Sequence, residues 1–163
     1  MSSGESRAMA RPQALDTILL GGLIAGCLDG LDAVLYYGWA FRITPTLLFQ
    51  NIASGLLGPR AFHGGVLTAI LGLALHFTIA IGAAAVFFLI CQQMPVLYRK
   101  AWIGGPVFGL LVYAVMHYVV VPLSAVSKRT VPVSGLELAD QLFSHAIFVG
   151  LPIALMAKRS AHD

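Results

Sequence analysis

Four apolar runs, at about 17–41, 66–90, 101–121 and 138–157, dictate the architecture open to this chain. At 1.5 Å per residue each run is long enough to cross a hydrocarbon layer about 30 Å thick. In lipid every backbone polar group must be satisfied within the segment, so such a run spans as a helix. Composition agrees: 58% of the 163 residues are hydrophobic and 10% are charged, against about half and about a quarter in a soluble domain. The expectation is an all-α, integral membrane four-helix bundle. It forms one domain over 15–159, with short polar tails at 1–14 and 160–163.

The sequence pI near 9.1 does not imply nucleic acid as a partner. The ten Lys and Arg residues are scattered and build no basic face. They read instead as topology signals. Arg7, Arg11, Arg99, Lys100, Lys158 and Arg159 fall on one side of the spans; Arg42, Arg60, Lys128 and Arg129 fall on the other. That bias orients both termini toward the cytoplasm. Cys27 and Cys91 lie at different depths, too far apart for a disulfide, and read as small apolar packers.

Residues 42–65 are too polar to span. Thr44-Pro45 is a helix start, a hydroxyl cap followed by Pro at the first helical position. Leu47, Leu48, Ile52 and Leu56 recur near helical period, and Gly58-Pro59 ends the run. These signals predict a short interfacial helix over Pro45–Leu57, lying on the membrane surface or folded over the bundle. Ser134 followed by Glu137 is a capping box that launches the fourth span.

The first span carries an anomaly within Gly22–Tyr37: two carboxylates, Asp29 and Asp32, and three glycines at four-residue spacing, Gly22, Gly26 and Gly30. Ionisable groups inside a membrane are costly and mark functional sites. Helical rise puts Asp32 roughly 13 Å below the outer end of its span and Asp29 roughly 18 Å. His76, His145 and His117 fall about 15, 10 and 6 Å below the outer ends of theirs. All therefore share one half of the bilayer, and each span contributes to that layer. The site predicted from the sequence is Asp29, Asp32, His76 and His145, supported by His117, Tyr36, Tyr113 and Gln141. Asp29, Asp32 and Tyr36 share a helix face, expected to be the same close-packing face as Gly22 and Gly26. On this reading the glycines bring neighbouring backbones near enough for His76 and His145 to reach the carboxylates.

Three chemistries suit such a layer. His76, His145 and Asp32 are transition-metal ligand types, and His76 with His145 is the ligand set that clamps a haem iron. No HExxH or ExxH pair accompanies them. A buried Asp pair with histidines is also the raw material of a proton or solute pathway, although four spans make a small transporter. The third reading, preferred here, is a binding or accessory subunit of a larger membrane complex whose polar layer is partly structural. Its partners would be the lipid bilayer and other membrane subunits or a second copy of itself. No nucleophile elbow, phosphate loop or dinucleotide fingerprint is present; whether the chain is an enzyme stays open, with the balance of the motifs against it.

The segments FQNIASGLLGPRAFHGG, ILGLALHF and HYVVVPLSAVSKR together resemble a group of small four-span inner-membrane proteins of proteobacteria. The resemblance spans about residues 15–158. It implies a bacterial inner-membrane location and a four-helix fold, and it brings no activity and no site residues with it.

Overall fold

The computed structural model describes residues 14–127 and 133–161. The tail at 1–13, the loop cations Lys128 and Arg129, and His162 lie outside the described residues. Among those described, all regular structure is helical. Four helices are long and apolar enough to cross a membrane: α1 (Asp16–Phe41), α3 (Gly65–Gln93), α5 (Ala101–Leu123) and α6 (Gly135–Ser160). Two shorter helices join them, α2 (Pro45–Leu57) and α4 (Val96–Arg99).

Local chemistry sets the helix starts. Thr44 Oγ1 accepts from the backbone N–H of Leu47 at 3.3 Å, and Pro45 occupies the first position of α2. Ser134 Oγ accepts from the N–H of Glu137 at 3.1 Å, so α6 begins at Gly135, three residues before the apolar run. Each cap satisfies an N–H that the first helical turn leaves without a carbonyl. At the end of α1, Arg42 adopts a left-handed φ of 57° and its N–H bonds the carbonyl of Tyr37.

Small residues set the packing. Gly22 lies so close to α3 that a methyl there would approach Ile81 Cα to 2.7 Å. A methyl on Gly109 of α5 would overlap the carbonyl of His145 on α6. Gly150 meets the backbone of Gly105 in the same seam. This is the close backbone approach that drives helix association in lipid, where burial of apolar surface adds little. The result is a bundle in which α1 and α6 are central neighbours, flanked by α3 and α5. Its inner half, the half that holds both ends of the described chain, is a packed core. Ala84 and Phe87 from α3, Phe108 from α5, and Ile153 and Ala154 from α6 fill it. At the inner end of the central pair, the buried hydroxyls of Thr17 and Ser160 lie 3.2 Å apart in a hydrogen bond.

Helix α2 packs lengthwise on the outer half of α3. Gly72 abuts the carbonyl of Phe49, which leaves no room for a side chain at that point. The Gln50 amide donates to the Gly65 carbonyl at 2.9 Å, and the Thr68 hydroxyl donates to the Ala61 carbonyl at 2.6 Å. Of the two arrangements the sequence left open for this helix, the structure has it folded onto the bundle.

Candidate functional site

The polar layer is built mainly on the seam between α1 and α6. On α1, Ala25, Asp29 and Asp32 follow one another at offsets of four and three, so they share a face. That face meets α6: the buried Ser144 hydroxyl donates to Asp29 Oδ1 at 2.9 Å, and Asp32 lies near the same hydroxyl. Gly22, Gly26 and Gly30 meet Ile81, Phe77 and His76 of α3. Gly22, seven residues before Asp29, lies at nearly the same angle on α1, while Gly26 and Gly30, each one position on from Ala25 and Asp29, turn away from the carboxylates to α3. At about 100° per residue a one-position offset is enough to turn a side chain from one neighbour to the next.

Two further carboxylates join the seam. Asp140 of α6 is within electrostatic reach of Asp29, Asp32 and Glu137. Glu137 is 1% exposed and accepts from the Tyr37 hydroxyl at 3.2 Å. The Gln141 amide donates to the same Tyr37 oxygen at 3.0 Å. Four carboxylates and a tyrosine–glutamine bridge therefore run from the outer end of α6 to mid-bundle. Sequence reasoning missed Asp140, Ser144 and Tyr37, and it credited Glu137 only with capping. The signal was available: Glu137, Asp140 and Ser144 stand at offsets of three and four, one face of a helix.

The histidines are held by main chain. His76 Nε2 donates to the Gly26 carbonyl at 2.8 Å, so this ring crosses to α1 but finds backbone there. The absence of a side chain at Gly30 gives the ring its space, since a methyl would stand 3.0 Å from Nε2. His145 Nδ1 donates to the Gln141 carbonyl of its own helix at 2.9 Å. Because a carbonyl can only accept, the ring nitrogen is the donor in both contacts. Tyr113 of α5 lies between two imidazoles, stacked on His117 and edge-on to His145, both with centroids 5.4 Å apart. His117 and His145 each sit in a single π-turn, at Met116–Val120 and His145–Gly150, a local widening that is frequent at functional sites. Tyr36 stays above the layer, its ring edge-on to Tyr37 and Phe41.

Asp29, His76 and His145 converge on one cavity of about 130 Å³. Ala25 and Val149 form part of its floor, and the packed core of Phe87, Phe108 and Ile153 closes the bundle beneath. Among the described residues, no Lys or Arg lines it. Asp32, Asp140 and Gln141 stand beside it without lining it, and His117 and Tyr113 reach it only through His145. A second, more open groove of about 280 Å³ lies on the other side of His76, between Gly30, Phe49 and Phe77. The Cys27 thiol faces that groove and is exposed, in contrast to the packing role expected for it; Cys91 is buried.

Comparison with protein-family models, with curated proteins and with solved structures returns no match for this chain. The site is therefore read from its own chemistry. Among the described residues, no three His, Cys, Asp or Glu side chains come together as a metal site. Haem does not suit the cavity either. At about 130 Å³ it is smaller than the roughly 300 Å³ at which pockets for drug-sized ligands begin. The arrangement suits a small, positively charged or hydrogen-bonding group: one carboxylate and two imidazoles line a space sized for a few heavy atoms and water.

Proposed function

We propose that this four-span membrane protein is a small binding subunit that holds an ammonium-type cation against Asp29 in the outer half of its bundle. It serves as an accessory component of a larger assembly in a bacterial inner membrane, with both termini cytoplasmic. One observation carries the reading: Asp29, bonded by Ser144, lines a cavity with two imidazoles and, among the described residues, no Lys or Arg. A carboxylate at that depth calls for a partner, and a small cation supplies one. The mild excess of Lys and Arg on one side supports the orientation, and the small size of the bundle supports an accessory role.

The test is binding of methylammonium to the purified protein in lipid nanodiscs, by isothermal calorimetry. The reading expects stoichiometric binding that is lost in Asp29→Asn and retained in His117→Ala. No binding to the wild-type protein would overturn it.

A second reading, a proton- or solute-coupled transporter, draws on the line of carboxylates from Glu137 through Asp140 and Asp32 to Asp29. That line stops at the cavity, because the inner half beneath it is packed alanine, phenylalanine and isoleucine. A polar path from one side with a closed floor favours binding over conduction. Proton flux in liposomes separates the two: flux in the wild type that disappears in Asp29→Asn would select transport.

A further inference from the structure

The cavity at Asp29 has a side wall as well as a floor, and the wall belongs to two helices that hardly touch. α3 and α5 pack chiefly on α1 and α6. They meet each other at Phe87 and Phe108, whose ring centroids are 4.9 Å apart. Higher in the bundle, the flank of the cavity is formed by Ile79 and Ala83 of α3 and by Val112 and Met116 of α5. Ile79 is 37% exposed on the surface that a bilayer would cover. The four flank residues are apolar; Ile52 of α2 joins the lining, and Asp29, His76 and His145 supply its polar groups, His76 from α3 itself.

We infer that the ligand is an amphiphilic primary amine that enters sideways from the lipid between α3 and α5. Its head lies against Asp29 and its alkyl tail lies along Ile79, Val112 and Met116. This deepens the binding reading above and rests on it. Charge complementarity selects the head: Asp29 lines the cavity, with Asp32 and Asp140 behind it, and no Lys or Arg among the described residues opposes them. Hydrogen-bond complementarity narrows it further. A primary ammonium has three N–H donors to offer the Asp29 carboxylate and the imidazoles of His76 and His145, which line the cavity together. A quaternary ammonium has none to offer. The flank selects the tail, since apolar surface beside lipid accommodates methylenes and would leave a second polar group unpartnered.

The experiment uses the full-length protein in nanodiscs with four probes: octylamine, methylamine, octanol and octyltrimethylammonium, each corrected for uptake by empty nanodiscs. Octylamine should bind at least about tenfold more tightly than any of the other three. Asp29→Asn should erase the preference of octylamine over octanol. Ile79→Trp, on the exposed rim of the flank, should weaken octylamine about tenfold more than it weakens methylamine. Methylamine binding as tightly as octylamine would overturn the sideways-entry inference and leave the cation reading standing. Equal binding of octylamine and octyltrimethylammonium would overturn the primary-amine assignment. Failure of both amines to bind the wild-type protein would overturn both proposals.

Discussion

Ser144 on α6 donates its hydroxyl proton to Asp29 on α1 across 2.9 Å, linking residues 115 positions apart in sequence. The bond joins the two central helices and aims the carboxylate at the cavity. Ser144→Ala should lower stability by about 1 kcal/mol, between the modest average for interhelical bonds in membranes and the larger value for a charged acceptor. Denaturation in mixed detergent micelles would measure it. A double-mutant cycle with Asp29→Asn should show that the two losses do not add; full additivity would deny the contact any energetic role.

Gly30 is the space that His76 occupies. A methyl there would come to 3.0 Å from Nε2 and push the ring off the Gly26 carbonyl. Gly30→Ala should therefore weaken methylammonium binding severalfold while leaving the fold intact, because the displaced atom ends a side chain that can turn. Imidazole NMR shifts of His76, compared between wild type and variant, report the broken bond directly.

Two glycines of similar appearance should respond in opposite ways. A methyl on Gly109 would meet the backbone of His145 and Ala146, whereas a methyl on Gly82 would find open space for 4 Å around it among the described residues. Gly109→Ala must separate α5 from α6 and should cost about 3 kcal/mol or more through overpacking. Gly82→Ala should be neutral or stabilising by up to about 1 kcal/mol, the difference in helix propensity. Thermal melts of the two variants in the same detergent decide the matter.

Arg42 ends α1 in a left-handed conformation at φ 57°. That conformation costs a residue with a Cβ about 1–2 kcal/mol and costs glycine almost nothing. Arg42→Gly should raise stability by about 1 kcal/mol, after the greater freedom of glycine in the unfolded chain is deducted. A fall in melting temperature would show that the arginine side chain contributes more than its backbone costs.

The elements legible in the sequence are those whose causes lie within a few residues. α2 occupies Pro45–Leu57 as expected because Thr44 and Pro45 act on the turn that immediately follows them. Ser134 caps α6 for the same reason. Hydropathy starts the fourth span about three residues late, because polar residues at the outer end of α6 mask a helix that apolar character alone does not reveal. Asp140 lies inside the apolar run, yet nothing local to it shows that it faces the seam with Asp29 and Asp32 rather than the surface.

Helix rotation is beyond such reasoning. Asp29 and Gly30 are adjacent in sequence, yet one meets Ser144 of α6 and the other meets His76 of α3. Run length and capping are local properties, so the residues alone establish that four segments can span and where two helices begin. Which face of each helix meets which neighbour is settled only by packing in three dimensions. That choice depends on backbones approaching through Gly22, Gly105, Gly109 and Gly150, contacts between residues far apart in the chain. The same packing turns His76 toward a carbonyl and leaves Asp29, His76 and His145 around a shared cavity.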